Sequence, residues 1–238
     1  MSILTNTKAL QLIGSSTSKG FGIHPEKSYF SLLLGRWPAL VTSTHSQDLL
    51  NTSQVVDILR KAPSKNIDTV LVIHSAADTF LIPSFLFRLY LRMRSNMSTS
   101  SDQVPGYVIY KSMNRFAKVL LFSVGLLKTN TSFPSLFRSL NSIESLTVNY
   151  RHTFVIVDTS TRIFSIEWTL KGLYSRFTDI LFKGSPKLSV IDFNKISHDS
   201  RYVRADFYQE DRWHLNELGH DLLFNEIAKK LNDLHLVS

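Results

Sequence analysis

The chain of 238 residues contains no cysteine. That excludes a disulfide framework and any thiolate-ligated metal centre. It also suits a reducing compartment. Long apolar runs are lacking as well. The longest, "VLLFSVGLL" from Val119 to Leu127, is bounded by Lys118 and Lys128. It falls far short of the ~18–20 residues needed to cross a bilayer. The opening "MSILTNTKALQLIG" has no basic start followed by a long apolar segment, so it does not read as a secretory signal. The expectation is a cytoplasmic protein without a transmembrane segment. No run of five like charges occurs, and the densest basic group, Arg88, Arg92 and Arg94, reads as a solvated helix face. A basic stripe interleaved with stacking aromatics is missing, so no nucleic-acid partner is expected. Gly20-Phe21-Gly22 is too short for a dinucleotide fingerprint, and His198-Asp199 has no matching ligands nearby. No metal and no cofactor is therefore expected.

What is present is a strand–helix alternation along the whole chain. Hydrophobic residues make up 43% of it, enough for a sizeable core, and the length suits one domain over 1–238. "ALQLIG", Ala9 to Gly14, is a short apolar run ending in glycine, which reads as a buried strand. Pro25 can open a helix that continues through "EKSYFSLLLG" and stops at Gly35. "PALVTS", Pro38 to Ser43, reads as a second strand, and "SQDLLNTSQVVDILRKA" as a helix. "DTVLVIHS" (68–75), "TFVIVDTS" (153–160) and "KLSVIDF" (187–193) supply three more strands. "ELGHDLLFNEIAKKL" closes the chain as an amphipathic helix. Strands separated by helices imply right-handed crossovers and a mainly parallel five-stranded sheet covered on both faces. Between about 79 and 150 lies a longer, mostly helical, serine-rich insertion, within which "SNMSTSSDQVPG" (95–106) reads as a loop. The formal net charge of +8 favours an acidic partner such as an anionic polysaccharide or lipid.

Ligands of parallel α/β sheets bind beyond the carboxyl ends of the strands. Ser16, His74, Asp78 and Asp158 all stand at or just after such ends. Near the other terminus, "DRWHLN" sets Asp211 three residues before His214. Residues three apart in a turn face the same way. A carboxylate there can hold one imidazole nitrogen and leave the other as a base. A serine within reach of that nitrogen completes a nucleophilic triad, and Ser16 is the natural partner.

Together these residues resemble the SGNH, or GDSL-type, hydrolases. That family's first block is a strand ending in G-D-S with the nucleophile last; here it reads Gly14-Ser15-Ser16. Its last block is D-x-x-H-L-N-x-x-G; here it reads Asp211-Arg212-Trp213-His214-Leu215-Asn216 with Gly219. The resemblance implies a three-layer α/β/α sandwich of flavodoxin-like type. It also implies a catalytic triad of Ser16, His214 and Asp211. The middle blocks depart from the pattern. The third, G-x-N-D, is Ser75-Ala76-Ala77-Asp78, so Ala77 stands where an oxyanion-binding asparagine belongs. The second lacks its glycine. Ser43 or Thr44 falls at that place, and their backbone N–H groups are candidate oxyanion donors. His45 and His74 border the same strand ends and are candidate substitutes for the asparagine.

The activity implied is hydrolysis of an acyl ester, an O-acetyl ester above all, on a carbohydrate or polysaccharide precursor. The partner is then a small-molecule or carbohydrate ester. Two alternatives share the fold: an acyltransferase acting on a sugar hydroxyl, and a binding protein that has lost catalysis, for which Ala77 is the main support. Oligomeric state has no signature in the sequence.

Overall fold

A computed structural model describes residues 9–48, 50–61, 67–75, 78, 81–84, 115–157, 166–198, 200, 204–209 and 214–236. Its strands are β1 (Ala9–Gly14), β2 (Val41–Ser46), β3 (Thr69–His74), β4 (Leu81–Pro83), β5 (Leu127–Thr129), β6 (His152–Val157) and β7 (Leu188–Asp192). Its helices are α1 (Tyr29–Arg36), α2 (Thr52–Lys61), α3 (Arg115–Ser123), α4 (Phe133–Leu146), α5 (Ile166–Phe182), α6 (Phe193–His198) and α7 (Glu217–Asp233). Five strands form one sheet in the order β2-β1-β3-β6-β7, every neighbouring pair parallel. β4 and β5 make a separate antiparallel ribbon.

Alternation of side chains along each strand builds two cores, one on each side of the sheet. Leu10, Leu12, Val70, Val72, Phe154 and Ile156 face a layer that contributes Leu33 of α1 and Leu223, Ile227 and Leu231 of α7. Ile13, Leu71, Ile73, Val155 and Val157 face the opposite layer, with Val55 and Leu59 of α2, Leu140 of α4 and Tyr174 of α5. The result is the expected α/β/α sandwich. β3 and β6 are buried throughout because both faces are covered, which is why they read as continuous apolar runs. No described helix is long and apolar enough to cross a membrane.

Several element boundaries differ from the sequence reading; the second helix, for one, begins at Thr52 and not at Ser46, which ends β2. The second strand begins at Val41, not Pro38. Trp37–Leu40 forms a turn instead, in which the Trp37 carbonyl accepts from the N–H groups of Leu40 and Val41. Pro25 opens only a short 3-10 turn, Pro25–Lys27; α1 starts after Ser28, whose Oγ accepts from the Ser31 N–H at 3.2 Å. The helix then passes through Gly35 and ends at Arg36. Within 79–150 the structure describes β4, α3, β5 and α4, the last packed in the α2 layer. The serine-rich stretch 95–106, Arg88, Arg92, Arg94, Asp158 and Asp199 lie outside the described residues.

Burial leaves two histidines neutral. His220 is fully buried in α7, and its Nδ1 accepts the Tyr29 N–H at 3.2 Å. Burial, with the nearby His214 charge adding to it, lowers its pKa to about 4. His152 is likewise lowered to about 4, by burial first and the Lys230 charge second. An unfolded histidine titrates near 6.5. Between those two values the unfolded chain binds more protons than the folded one, so stability rises with pH through the window and is lost as pH falls from 6.5 toward 4. Urea unfolding at pH 7, 6 and 5 should show this, with up to two protons taken up on unfolding. His220→Asn, which keeps an acceptor for the Tyr29 N–H, should remove about one of them.

Candidate active site

The chain leaves β1 by a reversal. Gly14 is level with Ser46 of β2 and His74 of β3, so β1 ends flush with its neighbours. The Ser15 N–H still bonds the His74 carbonyl at 3.1 Å, and the chain then enters a 3-10 turn, Ser16–Lys19. The turn curls back beneath the strand end. Ser18 packs so closely under Gly14 that a β-carbon on Gly14 would fall on the Ser18 hydroxyl. Ser16 is thus the first residue of a helical turn at the carboxyl edge of the sheet. Its N–H is one that such a turn leaves without an internal acceptor.

Ser18 is locked from below. Its Oγ lies 2.7 Å from Tyr29 Oη and 3.1 Å from His74 Nδ1, and Tyr29 Oη is 2.7 Å from the same nitrogen. All three side chains have no exposed surface. Burial pushes the Tyr29 hydroxyl well above the usual phenol range, so it remains a donor. The triangle joins β3, α1 and the turn that carries Ser16.

His214 arrives from the other terminus. Residues 207–209 and 214–216 pair antiparallel: the Gln209 N–H bonds the His214 carbonyl at 2.9 Å, and the Asn216 N–H bonds the Phe207 carbonyl at 3.0 Å. Each described residue of the last motif has a task. Leu215 is buried in the α1/α7 core. Asn216 caps α7, its Oδ1 accepting the Gly219 N–H at 3.0 Å while its Nδ2 donates to the Asp206 and Tyr208 carbonyls. Gly219 lets α7 approach the Phe207 carbonyl, which any β-carbon would strike. The imidazole of His214 ends with Nε2 3.4 Å from Ser16 Oγ, across 198 residues of sequence. Nucleophile–base contacts of unliganded sites are commonly this loose.

The other candidates fall in distinct places. Asp211 and Ala77 lie outside the described residues. Ser43 and Thr44 pair with Gln11 and Leu12, inside the strand; Ser46 is the residue level with Gly14. The later start of β2 causes this, since it carries both residues back from the strand end. His45, opposite Ile13, is exposed on the edge strand. His74 is not at the surface; with no exposed area and its Nδ1 in the triangle, it supports the turn and cannot meet a ligand from solvent. Asp78 is buried too. Its carboxylate accepts the Thr52 N–H on both oxygens at 3.0 and 3.1 Å and the Thr52 hydroxyl at 2.7 Å. Burial pushes this carboxyl up, against the hydrogen bonds from Thr52 that pull it down. Ser75 and Tyr174 close the cluster at 3.2 Å. Asp78 therefore clasps α2 and α5 to the end of β3. Among the described residues no group of three or more His, Asp or Glu could hold a metal ion.

One residue at the site escaped the sequence reading. Phe21 stacks on His214 with ring centroids 4.5 Å apart and planes inclined by 34°. The glycines that flank it were the only signal.

No family model matches the chain, and no curated protein sequence matches it. Solved structures do share its fold. An alpha/beta hydrolase enzyme from the metagenome of Lake Arreo, Spain, LAE5, superposes with a TM-score of 0.59 at 12% identity, covering 100% of both chains. A member of the lipolytic protein G-D-S-L family from Veillonella parvula gives 0.56 at 10% identity, covering 93% of this chain and 96% of its own. The C-terminal catalytic domain of the peptidoglycan O-acetyltransferase OatA of Streptococcus pneumoniae gives 0.53 at 12% identity, covering 96% and 95%. The chain shares the three-layer α/β/α fold of these structures.

The buried triangle has a measurable worth. Tyr29→Phe leaves Ser18 and His74 without their shared partner and should cost about 1–3 kcal/mol. Urea unfolding against the parent protein measures it, and unchanged far-UV circular dichroism would show the fold retained.

Proposed function

We propose that the chain is a serine ester hydrolase with Ser16 as nucleophile. The observation that carries this is the approach of Ser16 Oγ to His214 Nε2 at 3.4 Å, from opposite ends of the chain, at the carboxyl edge of the sheet. His214 Nε2 takes the Ser16 proton as Oγ attacks the ester carbonyl carbon. The tetrahedral intermediate collapses, His214 returns the proton to the leaving alcohol oxygen, and an acyl-Ser16 remains. Water, deprotonated by His214, then releases the acid. Asp211, three residues before His214, is assigned the orienting role on the strength of its motif. The Ser16 N–H is the first oxyanion donor, with further backbone N–H groups completing the hole in place of an asparagine side chain.

The substrate we assign is an O-acetyl ester of a carbohydrate or polysaccharide. Support comes from the first block's resemblance to carbohydrate esterases of the SGNH type and from the likeness to the OatA catalytic domain, whose name describes acetyl transfer on peptidoglycan. That same likeness favours a second reading, in which a sugar hydroxyl replaces water in the deacylation step.

A fluorophosphonate probe should add its mass to Ser16, and Ser16→Ala should abolish both labelling and turnover of p-nitrophenyl acetate, with a loss of at least ~10⁴-fold. An unlabelled but folded protein would refute the assignment. Products measured with and without an acceptor sugar then divide hydrolase from transferase. With backbone N–H groups filling the hole, Ala77→Asn should leave the chemical step nearly flat; a rise of ~10²-fold would show instead that the native hole lacks a donor at that place.

A further inference from the structure

We infer that Phe21 is the platform on which the alcohol portion of the substrate stacks, and that it selects esters whose alcohol is a ring with an apolar face, a pyranose or an aryl group. This rests on the serine-hydrolase reading above. Phe21 keeps 57% of its surface exposed, beside the Ser16–His214 pair. A ring left in solvent forgoes the burial that usually recruits a phenylalanine, yet this one is held firmly. Its N–H bonds the Ser16 carbonyl at 3.2 Å, and its carbonyl accepts from Gln209 Nε2 at 2.5 Å. The same Nε2 donates to the Leu215 carbonyl at 2.9 Å, so Gln209 ties the Phe21 loop to the strand that carries His214. Gly20 and Gly22 on either side have φ of 76° and 78°, a backbone that turns the chain sharply around the ring. The main chain of Phe21 is therefore fixed directly to Ser16 and, through Gln209, to the strand that carries His214, and its exposed face is presented rather than merely left over.

The side of the site it occupies follows from the chemistry. In acylation, His214 Nε2 delivers its proton to the oxygen of the departing alcohol. That alcohol must lie against the imidazole, and the ring packed on the same imidazole borders the space it fills. An aromatic ring gains from a second ring face laid against it at this range. The carbonyl oxygen points toward the oxyanion donors and the acyl chain leaves the same carbon in a different direction from the departing alcohol, so the alcohol is the part that meets Phe21.

The test holds the acyl group constant and varies the alcohol. All acetate esters form the same acetyl-Ser16, so only acylation, read as kcat/KM, can depend on the alcohol. Phe21→Ala should lower kcat/KM for p-nitrophenyl acetate and glucose pentaacetate by about five- to ten-fold. Ethyl acetate should lose several-fold less than either, so that the ratio of aryl to ethyl kcat/KM falls. Phe21→Trp should keep or improve the first two substrates. An equal loss on ethyl acetate would overturn the inference by showing a merely structural ring. A loss that grows with acyl chain length at fixed p-nitrophenol would also overturn it, by placing Phe21 in the acyl pocket. Fluorophosphonate labelling of Ser16 separates the two levels. With labelling and unselective loss, this inference alone falls; without labelling of the parent protein, the hydrolase reading falls and takes this inference with it.

Discussion

The site depends on how the chain turns at the end of β1. A parallel sheet delivers its strands to one edge but does nothing to present a side chain there. Here the presentation comes from Ser18, drawn under Gly14 and held by Tyr29 Oη and His74 Nδ1 in a fully buried triangle. With Ser18 fixed below, Ser16, two residues earlier, is fixed above. Partial satisfaction of such a network would be costly, because each member is a polar group without water. The same burial that makes the triangle expensive to break makes it rigid.

The second half of the site is built by the opposite terminus, with different means. His214 is held by main-chain pairing to residue 209, by Leu215 in the core beneath it and by Asn216 at the head of α7. Gly219 then allows α7 to sit against Phe207. The two halves are joined by Gln209, Phe21 and the Tyr29–His220 contact, where α7 meets α1. Ser16 and His214 are therefore referenced to one core, that of the α1/α7 layer, although almost the whole chain separates them.

Two buried polar clusters bracket β3. On the α1 side, His74 supports the turn that carries Ser16. On the α2 side, Asp78, Thr52, Ser75 and Tyr174 clasp the strand end to two helices. Sequence reasoning placed His74 and Asp78 near the site because both follow a strand. It could not tell that both turn inward, since a strand's alternation says which face a side chain takes but not what awaits it there.

The sequence by itself determined the layer architecture. Continuous apolar runs separated by amphipathic segments admit few arrangements other than a covered parallel sheet, and local periodicity survives translation into structure because it is a property of neighbours along the chain. It also singled out Ser16 and His214 as candidates, through the short motifs at a strand end and before a helix cap, and the fold brings the two side chains within 3.4 Å. Tertiary structure decided the rest. The second strand slid three residues later because Trp37 formed a turn, which removed Ser43 and Thr44 from the strand end. His74 became a support because Tyr29, in a helix some forty-five residues away, reached its ring. Phe21 became part of the site because Gln209 came to its carbonyl from the far end of the chain. Each of these is a contact between segments remote in sequence, and the pattern of residues within one segment carries no record of what another segment brings to it.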